Sequence, residues 1–272
     1  MKFRPCIDIL KGKVKQIVGS TLSNNSKGLV ENFVSEKSAA FFAKMYKKDN
    51  LSGGHIIMLD REESTISQAK SALQEYPFHM QIGGGINAEN AWSWVSAGAS
   101  HIIVTSYIFN DGKINFENIE KLIRAVGKEN LVLDLSCRQR NGNYFVVTDR
   151  WQKFTDYEVN FENLEKLSKY CDEFLIHATD VEGKCDGIQK DLIELLGNFV
   201  IDSPLSPSIT YAGGIHSLSD LDLIKTIGKC KLDFTVGSAL DIFGGKLSYK
   251  KMAKIGFYAT REEALLNAIF NH

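Results

Sequence analysis

The chain has 272 residues, of which 44% are hydrophobic, so it is long enough to bury one substantial core. Its 32 basic and 33 acidic residues leave a formal net charge of −1 at pH 7, which argues against a nucleic-acid or membrane-surface partner. The five cysteines, odd in number and without Cys-x-x-Cys spacing, argue against a disulfide framework and a zinc site. Because we find no leader-like apolar region and no stretch able to span a bilayer, we expect a cytoplasmic protein.

Short apolar runs alternate with helical stripes along the chain, and this pattern predicts eight strand–helix units. The predicted strands cover residues 3–9 (continued at 14–18), 53–59, 78–82, 100–104, 131–135, 174–177, 209–212 and 234–236. The predicted helices cover residues 35–48, 64–73, 87–95, 115–126, 161–171, 192–199 and 218–227. Without a break in composition, these units predict an α/β fold with one domain over residues 1–272, a (β/α)8 TIM barrel.

Three stretches fall outside this alternation. Residues 19–32 are polar and long for a connection, and we expect them to form a loop over the site. The dipeptide Asn141-Gly142 predicts a hairpin turn after the fifth strand. Apolar residues at helical spacing predict an extra amphipathic helix over residues 260–270, which could seal the barrel base or form a subunit contact.

Glycines follow two neighbouring strands near the end of the chain. Gly213 and Gly214 follow one strand, and Gly237 with Ser238 follows the next. Glycines allow backbone N–H groups to approach an anion, and a helix N-terminus behind them adds its dipole. Barrels commonly bind phosphate in this way after strands seven and eight. Tight packing between helix and strand is the alternative explanation, but two such turns together favour a phosphate site.

The same design occurs about half a chain earlier. Gly83, Gly84 and Gly85 end the third predicted strand, and Thr105 with Ser106 ends the fourth. Recurrence at this spacing indicates a duplicated half-barrel with internal twofold symmetry. The sequence therefore predicts two phosphate sites on opposite sides of one barrel mouth, and hence a small-molecule substrate with two phosphates.

Two aspartates recur at a similar spacing within apolar strands. Asp8 lies near the end of the first strand and Asp134 in the fifth. Active sites of barrels form where the strands end, and a buried carboxylate requires partners. A pair of hydrogen-bonded structural aspartates is the alternative. We favour a general base and a general acid that face each other between the phosphate sites.

Further polar side chains follow strands five and six. His177 ends strand six and could contact substrate, although a hydrogen-bonded core histidine fits the pattern equally well. Thr179 could position a substrate hydroxyl or an aspartate, and Arg138 could pair with a phosphate or with Asp134. No cysteine has an evident base partner, no cluster of His, Cys and carboxylate indicates a metal, and no G-x-G-x-x-G motif indicates a dinucleotide. We expect neither metal nor cofactor.

In sequence order, the motifs resemble the ProFAR isomerase family of histidine biosynthesis over nearly the whole chain, and its eukaryotic branch most closely. The segments that carry the resemblance are PCIDILKGKVKQIVG, QIGGGIN, IIVTSYIF, LVLDLSCR, FLIHATDVEG, TYAGGI and FTVGSALDIFGG. The resemblance implies a (β/α)8 barrel with twofold symmetry and a bisphosphorylated substrate. It also implies an Amadori rearrangement, the conversion of an aminoaldose to an aminoketose, without cofactor or metal.

In the implied mechanism, an acid protonates the ring oxygen of a ribose and a base then removes the C2′ proton. By resemblance Asp8 matches the base. Bacterial members read Asp-x-Arg on strand five, which places Ser136 at the acid position; Asp134 lies two residues earlier on the same inward face. We assign the acid to Asp134 and a supporting contact to Ser136. The strand-six threonine of bacterial members falls on Ala178 or Thr179.

Two other functions compete with the isomerase. The sister cyclase of the same pathway also has a duplicated barrel and two phosphate sites, but it receives ammonia from a glutaminase, and we find no glutaminase segment. A non-catalytic barrel that binds a sugar phosphate would need the glycines but not the two aspartates. We expect a monomer.

Overall fold

Eight parallel strands form the centre of the molecule in a computed structural model that describes residues 1–18, 21, 30–203 and 206–255. The barrel strands are β1 (Cys6–Leu10), β4 (Gly54–Met58), β5 (Met80–Gly83), β6 (Ile102–Val104), β9 (Leu131–Asp134), β13 (Glu173–His177), β14 (Ser208–Ala212) and β15 (Asp233–Phe234). They pair in the order β1-β4-β5-β6-β9-β13-β14-β15, each with its sequence neighbour in this set. This is the topology that alternating strand and helix signals predict.

The chain start closes the ring. Phe3, three residues before the start of β1, forms a parallel bridge with Phe234 on the last barrel strand. Arg4 N donates to Phe234 O at 2.8 Å, and Phe234 N donates to Lys2 O at 3.0 Å. The sheet therefore has no free edge between its first and last strands, which confirms the predicted (β/α)8 barrel.

Helices cover the outside of the barrel. They are α1 (Ala39–Lys48), α2 (Glu63–Glu75), α3 (Ala91–Ser96), α4 (Phe116–Val126), α5 (Phe161–Ser168), α6 (Lys190–Asp202) and α7 (Leu218–Ile227), with residues 249–255 helical after β15. Ser217 and Asp220, three residues apart in the sequence, predict a capping box at the start of α7, and in the structure each accepts from the backbone of the other. The helical spacing of Leu218 with Leu221 and Ile224 predicts one buried stripe, but Leu218 is exposed because it occupies the first turn beside the cap.

Additional strands extend the barrel at its mouth. β2 (Lys13–Ile17) and β3 (Glu31–Val34) continue antiparallel from β1, and β7 (Phe109–Asn110) pairs with β8 (Lys113–Ile114). After β9, β10 (Cys137–Arg140), β11 (Asn143–Thr148) and β12 (Lys153–Glu158) form a separate sheet. Its first turn is the predicted Asn-Gly hairpin, whereas β12 was not predicted. The predicted helix at 260–270 and most of the predicted loop at 19–32 lie outside the described residues.

The barrel interior changes from charged to apolar to polar along its axis. At the base, the buried carboxylate of Glu173 accepts from Arg4, Gln81 and Thr210 at 2.6–3.0 Å. A small apolar layer above it consists of buried Ile103, Val132 and Leu175, against which Ile57 packs. These two layers fill the barrel interior at its base. Residues that face inward further along the strands therefore lie above a packed layer, and the barrel opens where the strands end.

Candidate active site

A cavity of about 990 Å³ opens where the barrel strands end. Eleven of the residues predicted for the site line it, namely Asp8, Gly84, Gly85, Thr105, Ser106, Asp134, His177, Gly213, Gly214, Gly237 and Ser238. They come from seven different barrel strands or the turns after them, so only the closed barrel brings them together.

Asp8 lies at the cavity wall, where its Oδ2 accepts a hydrogen bond from Gln16 Nε2 at 3.2 Å. Burial and the negative charge of Glu182 raise the pKa of this carboxyl to about 7, although His177 and Gln16 act in the opposite direction. A carboxylate with few donors and a raised pKa is a stronger proton acceptor than an ordinary aspartate, as a general base near neutral pH requires.

Asp134 ends β9 in a different environment. Its Oδ1 accepts from Ser136 N at 2.9 Å and from Ser136 Oγ at 2.7 Å, and its Oδ2 accepts from Thr105 Oγ1 at 2.9 Å. Burial alone would raise the pKa of this carboxyl, but the charge of His177 and the hydrogen bonds lower it. The lowered pKa favours the ionised form of this carboxyl, whereas a direct proton donor must be protonated before it acts.

His177 ends the neighbouring strand β13 and reaches Asp134 through its ring. Its Nδ1 lies 3.3 Å from Asp134 Oδ1. Burial would lower the pKa of this imidazole, but the Asp134 carboxylate, with Glu182 and Asp8, raises it to about 8. The rings of His55 and Trp151 lie 6.0 Å and 5.8 Å away, centroid to centroid. His177 is thus a predominantly protonated imidazolium at neutral pH.

The first glycine turn follows β5. Gly84 has φ +96°, and a Cβ there would lie 2.0 Å from the carbonyl oxygen of Met58, so this position accepts only glycine. At Gly85 a Cβ would meet the guanidinium of Arg61, which lines the same cavity. Bare backbone beside an exposed arginine forms a concave, positively charged surface suited to a phosphate.

The second glycine turn follows β14. Gly213 and Gly214 both have positive φ, and a Cβ on Gly214 would lie 1.9 Å from the carbonyl oxygen of Gly187. The neighbouring turn after β15 brings Ser238 to the cavity, where its Oγ accepts from Asn32 Nδ2 at 3.0 Å. Both glycine turns thus contain two glycines with positive φ. They follow β5 and β14, which belong to different halves of the barrel, and both line the same cavity.

Four predicted site residues do not line the cavity. Gly83 is buried within β5, and Ser136 lies behind Asp134 as its hydrogen-bond donor, in agreement with the supporting contact predicted for it. Arg138 differs from its prediction: its Nε pairs with Asp180 Oδ1 at 3.0 Å rather than with Asp134. Thr179 is buried and donates to the carbonyl oxygen of Cys137 at 3.1 Å, so it connects two loops.

Four other side chains at the cavity were not predicted. Glu182 follows β13, and burial raises its pKa despite the opposing charge of His177. His55 is buried in β4, where burial and the charge of His177 lower its pKa to about 3 and keep it neutral. Trp151 and Arg61 come from loops. Arg61 lies two residues after the second predicted strand, a position that indicates the barrel mouth; the other three carry no local signal.

Within residues 1–18, 21, 30–203 and 206–255, no group of three or more His, Cys, Asp or Glu side chains is arranged to hold a metal ion. No helix in that part of the chain is both long and apolar enough to cross a membrane.

A closed parallel barrel with carboxylates and an imidazole gathered where its strands end defines the class of (β/α)8-barrel enzymes with acid–base sites. The family model described as "Histidine biosynthesis protein" matches residues 2–248, and the chain belongs to this family. This confirms the resemblance that the sequence motifs indicate.

Relatives of known name extend over nearly all of the chain. It is 52% identical over 254 residues to the chloroplastic 1-(5-phosphoribosyl)-5-((5-phosphoribosylamino)methylideneamino) imidazole-4-carboxamide isomerase of Medicago truncatula, covering 92% of this chain and 80% of that protein. Isomerases of the same name from Yarrowia lipolytica and Saccharomyces cerevisiae are 48% and 43% identical. The matches cover 90% of this chain in both cases, with 93% and 94% of those proteins.

Proposed function

We propose that this protein isomerises ProFAR, the substrate in the name of its relatives, by an Amadori rearrangement in histidine biosynthesis. One observation carries the proposal: Asp8 and the Asp134–His177 pair line a single cavity that also contains both glycine turns. The relatives' name describes a molecule with a phosphoribosyl group at each end. Two anion sites with acid–base groups between them suit such a ligand.

Asp8 is the proposed base. The rearrangement requires removal of the C2′ proton from an open-chain iminium, and the acceptor must be ionised when the substrate is bound. The pKa of Asp8, raised to about 7, keeps a large fraction ionised near neutral pH while increasing its basicity. Gln16 donates to Oδ2 of this carboxylate, so Oδ1 can accept the substrate proton.

The opposite wall supplies the proposed acid function. Asp134 holds His177 at 3.3 Å, and the pair adjoins the turn after β6 through Thr105. A proton held on this wall is available to the ribose ring oxygen, while Asp8 lies on β1 across the barrel. Separate acid and base groups on two walls allow ring opening and proton abstraction without movement of the substrate.

The glycine turns are the proposed phosphate sites. Gly84 and Gly85 with Arg61 would hold one phosphate, and Gly213 and Gly214 with Ser238 the other. Anchoring at both ends fixes the sugar between the walls, so binding energy from remote phosphates aids chemistry at the ribose. We also propose a monomeric, cytoplasmic protein that needs neither metal nor cofactor, which sedimentation analysis and fractionation of cells would test.

The decisive experiment is turnover of purified ProFAR by the purified protein, followed by chromatography of the product. We expect the ribulosyl isomer without added ammonia. Conversion of the ribulosyl isomer, supplied with ammonia, to an imidazole glycerol phosphate would instead identify the sister cyclase. Binding without any product would identify a non-catalytic sugar-phosphate barrel. Chelator and dialysis controls accompany the assay, since retained activity is expected after both.

A further inference from the structure

The two ring nitrogens of His177 have different surroundings. Nδ1 faces Asp134 Oδ1 at 3.3 Å. No hydrogen-bond partner for Nε2 occurs among residues 1–18, 21, 30–203 and 206–255, and the residue lines the cavity. A carboxylate that holds Nδ1–H fixes the orientation of the ring and stabilises its protonated form, so Nε2–H is presented at the cavity.

Asp134 lines the cavity, but both of its carboxylate oxygens already accept hydrogen bonds. Its two oxygens are engaged by Ser136 N and Oγ, Thr105 Oγ1 and the imidazole of His177. A carboxylate that accepts from this many donors is stabilised in its charged form. Proton donation by Asp134 would break these contacts, whereas donation by His177 leaves them in place.

We propose that His177 is the catalytic acid of the isomerisation and that Asp134 is its positioning residue. The proposal rests on the proposed function, because it assigns the proton donor for that reaction. It goes beyond the proposed function because it assigns the role of proton donor to the imidazole on β13 rather than to the carboxyl on β9.

The proton balance closes over one turnover. Nε2–H of the imidazolium gives its proton to the ribose ring oxygen as the C1′–O bond breaks onto that oxygen, and the amine lone pair forms the C1′=N bond. Asp8 then takes the C2′ proton; the C2′–H electrons form C1′=C2′, and the C1′=N pair returns to nitrogen. Finally Asp8 gives its proton to C1′ while neutral His177 takes the proton of the C2′ hydroxyl, so the ketone forms and both groups regain their starting states.

The charges around His177 come from three sides. Asp134 on β9, Asp8 on β1 and Glu182 in its own loop are acidic, while His55 on β4 is neutral. Burial opposes the charged imidazole, but these carboxylates raise its pKa to about 8. Activity should therefore fall as pH rises through about 8, because the donor then loses its proton.

The test compares two histidine–aspartate pairs in the same protein. His177→Gln keeps the side-chain size and a hydrogen bond to Asp134 but cannot transfer a proton. His101→Gln is the matched control, since His101 Nε2 lies 3.2 Å from Asp172 at the opposite end of the barrel. We expect kcat for ProFAR to fall about 10²- to 10³-fold in H177Q, with KM changed less than about 3-fold. The fall in activity above about pH 8, the alkaline limb of the pH–rate profile, should be lost in this variant. H101Q should match the wild type.

Asp134→Asn tests the positioning role by a readout that fold damage alone would not shift. Without the carboxylate, the His177 pKa should move from about 8 toward its ordinary value of 6.5, and the alkaline limb should move with it. Imidazole NMR titration of the free enzyme, with H177Q used to assign the signal, measures the same shift without turnover. Circular dichroism establishes that each variant is folded.

The outcomes separate this inference from the proposed function. An active wild type whose alkaline limb survives unchanged in H177Q overturns the role of His177 and leaves the isomerase intact. A Glu182→Gln variant that loses the limb while H177Q keeps it transfers the role to Glu182. A folded wild type that binds ProFAR without turnover overturns both proposals. Loss of the limb in H177Q together with its downward shift in D134N supports the inference.

Discussion

The two halves of the barrel place an aspartate at comparable positions and give it opposite properties. Asp8 has one hydrogen-bond donor and a pKa raised to about 7 by burial and by Glu182. Asp134 has several donors and a lowered pKa, because hydrogen bonds and the charge of His177 outweigh its burial. Equivalent positions in a duplicated scaffold can thus supply a base in one half and a stably ionised carboxylate in the other. The hydrogen-bond donors and charges around each aspartate determine its pKa.

We expect the largest loss of activity when the proposed base is removed. Asp8→Asn should lower kcat for ProFAR by roughly 10³-fold, because the amide cannot accept the C2′ proton. Substrate affinity, measured by calorimetry, should change only a few-fold. Exposed Asp222 on α7 offers a matched control, and D222N should retain wild-type activity. In the wild type, activity should rise with pH through about 7 as Asp8 ionises; a D8N enzyme of near-normal kcat would contradict the assignment.

The glycine turns test whether the halves are equivalent in binding. Gly84→Ala and Gly214→Ala each place a methyl about 2 Å from a carbonyl oxygen, at 2.0 Å and 1.9 Å, so the backbone must move. We expect KM for ProFAR to rise at least roughly 10-fold in each, because the N–H groups facing the phosphate are displaced. Gly142→Ala is the control for strain alone, since Gly142 also has positive φ but nothing within 4 Å. Equal KM values in G84A, G214A and G142A would exclude a role of the two glycine turns in substrate binding.

Arg61 breaks the equivalence of the two phosphate sites. It lies against Gly85 in the first turn, whereas a Cβ at Gly213 or Gly214 in the second would meet Ala178, Gly187 and Val181 instead. Arg61→Gln should raise KM about 5- to 10-fold with kcat little changed, and the effect should shrink at high salt as screening increases. Arg124→Gln, on the exposed face of α4, is the matched control. An unchanged KM in R61Q would place the phosphate elsewhere.

The smallest effect is on stability, and its sign differs between the aspartates. The folded-state pKa of Asp8 lies above its ordinary 3.8, so folding stability falls as pH rises from about 4 to 7, and D8N should raise Tm by a few degrees at pH 8. The folded pKa of Asp134 lies below 3.8, so its stabilisation is present above 3.8 and lost as pH falls through the folded pKa. D134N should lower Tm at pH 8, and Tm shifts of the same sign would contradict this contrast.

Local patterns predicted the barrel, the glycine turns and the position of Asp8, because each depends on residues adjacent in sequence. The state of Asp134 was not predictable, since its donors Thr105 and His177 come from other strands. The partner of Arg138, expected to be a phosphate or Asp134, was not predictable for the same reason, since Asp180 follows the next barrel strand. Strand β12 was missed because it is largely polar and follows an irregular loop.

Three consecutive residues of that loop, Asp149, Arg150 and Trp151, have left-handed backbone conformations without being glycine. No sequence pattern predicts such a run, because L-residues rarely adopt it. It carries the Trp151 ring to His177, at 5.8 Å between centroids. The loop conformation therefore follows from tertiary contacts, which explains why sequence reasoning overlooked this side of the cavity.

Ring closure through Phe3 and Phe234 has a consequence for protein synthesis. The first strand leaves the ribosome early, yet its partner on one side is the last barrel strand, made after most of the chain. Until then the growing sheet presents an unpaired edge at Lys2–Arg4, and Arg4 lacks its contacts with Glu173 and Asp233. The nascent chain consequently depends on its final barrel strand to bury that edge, and a message truncated before it would yield an aggregation-prone open sheet.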